Sequence, residues 1–228
     1  MKTFYSLLLL TGLTIAATVV DAAQIETQIR QAVNERYGNV YTKVEVTILG
    51  QPRISMENAT YELSVRLPEK SLGLTIVPVT ITSTKESRQV RVQANIRVYD
   101  QVLVAQQPVD RRQNLTELMV KVSQEEVTPY VLAKKDICKT VDRANGKRSK
   151  SFLKPGDILT ADKLESIPDV LKDQVLSLIV EQKSLSIKLP VKALAEGFIG
   201  NTIQVLNPKS NIVLMARISD KQSVVLAN

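Results

Sequence analysis

Ala193-Leu194-Ala195-Glu196-Gly197-Phe198-Ile199-Gly200-Asn201-Thr202-Ile203-Gln204-Val205-Leu206-Asn207-Pro208-Lys209-Ser210 combines a spaced glycine pair, a short alternating run and an Asn-Pro-Lys-Ser turn. Gly197 and Gly200 permit backbone turns that side chains obstruct, and Ile203 and Val205 share one face of a strand. The turn then reverses the chain into Ile212, so the stretch predicts a tight hairpin in a small β-barrel. No side chain in it has catalytic chemistry. Around it, residues 175–180, 185–189, 202–206, 212–218 and 223–226 read as short strands separated by turn residues. Closing them into a barrel removes exposed edges.

Upstream the chain repeats itself weakly. Val109-Asp110-Arg111-Arg112-Gln113-Asn114-Leu115-Thr116 aligns with Leu153-Lys154-Pro155-Gly156-Asp157-Ile158-Leu159-Thr160 at an offset of 44 residues. In the second copy Pro155 fixes φ and Gly156 supplies a positive φ, which predicts a sharp turn. The first copy has Arg112 where the second has Gly156, so a different turn is expected there. Thr160 is placed to cap a short helical turn reaching Leu164, with Asp162 favourable near its start. Between the copies, residues 132–141 read as helical, and Asn145-Gly146 is a two-residue turn signal.

The N-terminal part reads as a helix followed by strands. Ile25, Ile29, Val33 and Tyr37 recur at helical spacing before Gly38, predicting a helix over residues 24–37. Alternation follows at Val44, Val46 and Ile48, at Tyr61, Leu63, Val65 and Leu67, at Leu74 and Ile76, and from Val90 to Val98. Residues 82–87 are expected to form a hairpin loop between Ile81 and Arg88.

Composition and charge narrow the chemistry. The chain has 228 residues, no His, no Trp and one Cys, which removes His-based acid–base catalysis, His metal sites and Cys clusters. Cys138 is expected to be a structural, partly buried thiol. The net charge is +7, concentrated over residues 134–154, where eight cations (Lys134, Lys135, Lys139, Arg143, Lys147, Arg148, Lys150, Lys154) face only Asp136 and Asp142. Such a patch can steer an acidic protein surface or an anionic polymer. Phe152 is the single aromatic among these cations and aromatics make up only 4% of the chain, so nucleic acid is not an expected partner. The carboxylates Asp157, Asp162 and Glu165 follow a turn and a helix start, where solvation and capping account for them.

The front end sets an expected compartment. Lys2, an apolar run from Phe4 to Val20 and the small residues Ala22 and Ala23 have the layout of a secretory signal peptide over residues 1–22. Later apolar runs are interrupted by charge before spanning length, so no stable membrane insertion is expected after cleavage.

The segment 102–164 resembles an SAF domain, the β-clip unit found in antifreeze proteins, sialic acid synthases, pilus assembly proteins and flagellar P-ring chaperones. The resemblance is carried by Phe152, Leu153, Pro155, Gly156, Leu159, Thr160 and Leu164. Gln174-Val175-Leu176, the strand 185–189, Ala193, Leu194, Gly197, Gly200, Asn207 and Ser210 further resemble the flagellar P-ring assembly chaperones, over roughly residues 100–228. Two positions depart from that pattern: Asp173-Gln174 stands where the family commonly has Gly-Asp, and Asn201 replaces an acid after Gly200.

The whole reads as a mainly β protein of α+β class: the helix and strands predict an N-terminal helix-plus-sheet domain over 23–99, and the resemblance implies an SAF β-clip domain over 100–165 and a C-terminal barrel over 166–228. The resemblance also implies a periplasmic chaperone of the flagellar P-ring protein, close to the cell wall, with no cofactor, metal or catalytic residue. Flexible joints are expected near Tyr99 and residues 165–168, and Lys147, Arg148, Lys150 and Lys154 are the candidate partner-binding cations. A pilus or secretion component with the same SAF unit, and a cell-wall glycan-binding module, remain open as alternatives.

Overall fold

The computed structural model describes residues 22–50, 61–182 and 185–227. Residues 1–21 of the leader-like segment lie outside them. The chain divides into two compact units, one running to Asn145 and including Ser149–Leu164, the other made of Gly146–Arg148 and the chain from Glu165 onward. It is a mainly β protein.

In the first unit, α1 (Ala22–Tyr37) buries Ile25, Ile29 and Val33. Their spacing of four residues puts them on one stripe, packed against Val77, Val79, Ile81, Val92, Ala94 and Ile96. At roughly 1.5–3 kcal/mol per buried side chain, this packing and not propensity holds the helix. The sheet below has the order β1-β4-β3-β2, with β1 (Lys43–Leu49), β2 (Tyr61–Val65), β3 (Gly73–Ser83) and β4 (Ser87–Ala105) all antiparallel to their neighbours.

Two features of this sheet go beyond what the sequence pattern states. Leu74 and Ile76 keep the period-two pattern but are 73% and 50% exposed, whereas Val77, Val79 and Ile81 are buried. The register Val77↔Val92 and Ile81↔Leu63 turns the odd positions of β3 towards α1, and a strand buries only one parity. The joint expected near Tyr99 falls inside a strand instead of a linker. β4 runs unbroken through that residue, pairing Val98 with Val44 and Val102 with Ser123 of β5 (Val120–Glu126), so a pivot there would break both ladders. The expected helix over 132–141 is replaced by α2 (Thr128–Leu132), which ends where that helix was to begin. Lys134 then adopts φ 52°, which an α-helix does not continue through.

The 44-residue repeat is a local two-fold. Val109 and Leu153 bridge each other through reciprocal N–H to carbonyl bonds of 3.0 and 2.9 Å. Arg112 N–H donates to the Ser149 carbonyl at 2.7 Å, and Gly156 N–H to the Ala105 carbonyl at 2.8 Å, again partners 44 apart. Arg112 takes φ 64° and Gly156 φ 85°, so the two turns share one conformation despite the different residue. Each copy continues into a one-turn 3-10 helix, Glu117–Met119 or Ala161–Lys163, before β5 or β7 (Leu164–Ser166). Thr160 precedes the second of these, yet its hydroxyl makes no cap bond and the residue is buried.

The second unit is a closed five-stranded barrel, β10-β11-β12-β8-β9. Its strands are β8 (Val175–Gln182), β9 (Leu185–Ala193), β10 (Thr202–Asn207), β11 (Ile212–Ile218) and β12 (Ser223–Leu226). Its core gathers Val170, Leu176, Leu178, Val191, Ala193, Ile203, Val205, Ala216, Ile218 and Val224.

Candidate functional site

The motif residues build paired turns, and the same device occurs in both units. Lys154 N–H is accepted by the Asp157 carboxylate at 2.8 Å, and Asp110 N–H by the Gln113 side-chain oxygen at 2.7 Å. In the barrel unit, Leu171 N–H is accepted by Gln174 Oε1 at 2.9 Å and Phe198 N–H by Asn201 Oδ1 at 3.0 Å. Val170 and Gly197 form the bridge there, with both bonds at 3.0 Å. The third turn position has positive φ in every copy: Arg112, Gly156, Asp173 and Gly200. Asp173-Gln174 and Asn201 therefore keep the turn geometry, because a short polar residue tolerates the left-handed region and an amide oxygen accepts the same N–H as a carboxylate.

The two glycines of the opening stretch serve different needs. Gly200 sits at φ 92° with nothing within 4 Å of a notional Cβ, so its requirement is conformational. A Cβ on Gly197 would lie 2.7 Å from Ile218 Cδ1 and 3.0 Å from Ile203 Cγ2, so its requirement is space in the barrel core. Leu153, Leu159, Thr160, Leu164 and Ala193 are buried, Leu194 and Asn207 are half-buried, and Pro155 and Ser210 are exposed. Asn207 Oδ1 accepts the Lys209 N–H at 3.0 Å, which closes the turn after β10. All of these positions shape backbone or core.

The basic segment is less charged than its sequence suggests. Lys135 pairs with Asp162 at 2.6 Å, Lys139 with Asp100 at 2.5 Å and Arg143 with Asp136 at 2.5 Å. Arg148 lies in β6 (Lys147–Ser149) and is buried, with its side chain only 7% exposed. Its Nε donates to Glu165 at 2.8 Å, and its Nη2 and Nη1 donate to Glu196 at 2.5 and 3.3 Å. Glu196 first, and then Glu165, push the guanidinium pKa up. The expectation that Arg148 meets a partner is thus corrected: its fork is committed to two carboxylates inside the second unit. Lys147 Nζ donates to Ser166 Oγ at 2.8 Å, while Lys150 and Lys154 are exposed. The sequence pattern missed these pairings because Asp100, Asp162, Glu165 and Glu196 lie outside the basic run.

Cys138 is fully buried, and that burial pushes its thiol pKa up, against a smaller opposing pull from Arg143. Among the described residues, no group of three or more His, Cys, Asp or Glu side chains is placed to hold a metal ion. Among them, too, no helix is long and apolar enough to cross a membrane.

A family model described as "Chaperone for flagella basal body P-ring formation" matches residues 100–226, more than half of the chain. The chain belongs to this family. The matched region starts inside β4 and contains all four turns. The crystal structure of Salmonella FlgA in open form is similar at 16% identity, covering 89% of this chain and 92% of that one, with a TM-score of 0.46. Flagellar protein FlgA from Thermotoga maritima is similar at 18% identity over 90% of this chain and 72% of that one, with a TM-score of 0.49. No curated protein matches the chain. At such identities and scores, membership of the P-ring chaperone family rests on the family model alone.

Proposed function

We propose that this protein is exported to the periplasm, binds the flagellar P-ring subunit there and promotes its assembly around the rod, acting as a binding protein without cofactor or covalent step. The observation that carries the reading is the match to the P-ring chaperone family over residues 100–226. The leader-like N-terminus supports export, because a basic residue, an apolar run and small residues are what the secretion machinery recognises. We also propose residues 23–99, 100–165 and 166–228 as its functional segments, the middle one an SAF unit; the start of the family match at residue 100 supports the first boundary. Lys147, Lys150 and Lys154 are the cations through which the client is first attracted.

The test is capture from the native compartment. The mature chain, tagged at its C-terminus, is crosslinked in the periplasm and its partners are identified by mass spectrometry. The expected dominant partner is the P-ring subunit. Recovery of a secretin, or of cell-wall fragments without a protein client, overturns the assignment.

A further inference from the structure

A closed barrel needs apolar residues only on its inner side, yet the outer face at β10 and β11 also carries apolar side chains, Leu206, Val213 and Met215, among polar ones. Val191, Ala193, Ile203, Val205, Ala216 and Ile218 are the buried inward residues, so their alternate neighbours project outward. The register places these in adjacent rows. Lys192, Leu206 and Val213 form one, through the pairs Leu206↔Lys192 and Leu206↔Val213. Leu194, Gln204 and Met215 form the next, through the Leu194 N–H to Gln204 carbonyl bond of 2.9 Å and the pair Gln204↔Met215. Val213 and Met215 are 49% and 48% exposed, and Leu194 and Leu206 are half-buried beside them. Exposed apolar side chains grouped within a polar rim are the usual make-up of a docking surface.

The charge along this stretch is mainly positive. From residue 185 to 217 the cations are Lys188, Lys192, Lys209 and Arg217, and the only acid is Glu196, which is engaged by Arg148. Arg217 extends the face one row further through its pair with Thr202, and Lys209 lies in the turn after β10. Lys192 shares its charge with Asp173 at 2.8 Å.

We propose that this face docks a protein segment of opposite make-up, an apolar centre flanked by carboxylates, presented by the ring subunit; the identity of that partner rests on the chaperone reading above. Charge complementarity selects this occupant. A second copy of the chain, docked through the same face, would bring two basic rims together, which is repulsive.

The experiment measures affinity of the mature chain for purified P-ring subunit. Val213→Lys with Met215→Lys should weaken binding at least about tenfold, as expected when charge enters the centre of an interface. Lys209→Glu with Arg217→Glu should weaken it more at low than at high salt. Val213→Thr with Met215→Gln, a milder pair, reads the same effect should the lysine pair disturb folding. Unchanged affinity in folded variants, beside a wild type that binds, overturns the docking face and leaves the chaperone reading standing. A wild type that does not bind the subunit overturns both. Loss of self-association, or of flotation with phosphatidylglycerol vesicles, in variants that still bind the subunit assigns the face to another occupant and overturns the proposal.

Discussion

Arg148 shows what one residue can change in a reading of charge. Its guanidinium joins two carboxylates of moderate exposure, Glu165 at 32% and Glu196 at 24%. Removing it leaves both without that partner in a partly dry site, so Arg148→Ala should destabilise the second unit by about 2–4 kcal/mol, the range for a broken buried pair reduced for this exposure. Arg148→Lys should recover only part of that, because an ammonium cannot fork between both acids. Urea unfolding of the two variants beside the wild type checks both statements. Asp162 gives a second case. The ammonium of Lys135 holds its carboxyl down to about 2, with help from Thr160. A lowered folded pKa means that the stabilisation is present above the ordinary value of 3.8 and is lost as pH falls through about 2. The pair is exposed, so its contribution is small and weakens with salt. Lys135→Ala should return the Asp162 titration, followed by carboxyl NMR, towards 3.8.

At the scale of elements, parity decides cost. Ile81 is fully buried against α1, whereas Leu74 faces outward on the same strand. Ile81→Ala should cost about 2–5 kcal/mol and Leu74→Ala less than about 0.5 kcal/mol, measured by thermal or urea unfolding. Equal effects would show that β3 is shifted by one residue. The barrel strands carry a second element-level lesson. β9 meets β10 only at Lys192 and Ala193, which leaves residues 185–191 with one open backbone edge. Leu194 N–H bonds Gln204 of β10 whereas Ala193 N–H bonds Gln174, so even-numbered residues turn their backbone groups to the open side. Pro190 therefore sits where a donor would be needed, and Lys188 flanks it, which protects the edge against added strands. A partner is better served by the side-chain face than by this edge.

For the whole molecule, the balance of charge bears on client capture. The chain carries +7 overall, but Lys135, Lys139, Arg143 and Arg148 are already paired. Long-range attraction then falls to the remaining cations, and changing Lys147, Lys150 and Lys154 to Glu should lower the rate of P-ring subunit capture several-fold at low salt and little at high salt. Stopped-flow or surface-based association rates across ionic strength test this; equal losses at both salts would remove electrostatic recruitment from the mechanism.

Periodicity and turn chemistry were enough to predict α1, the barrel strands and a hairpin reversal within residues 82–87, which the structure narrows to residues 84–86, because burial of one face and reversal at polar residues are local properties of a chain. The 44-residue repeat was visible as well, since Leu-Thr recurs after each turn. Long-range pairing was not visible. That Arg112 adopts the conformation of Gly156 follows from its bond to Ser149, that Arg148 is buried follows from Glu165 and Glu196, and that Leu74 faces outward follows from the register against β4. Each depends on residues brought together only by folding, so local sequence determined the elements and their turns, while tertiary structure decided which faces, and which charges, remain for a partner.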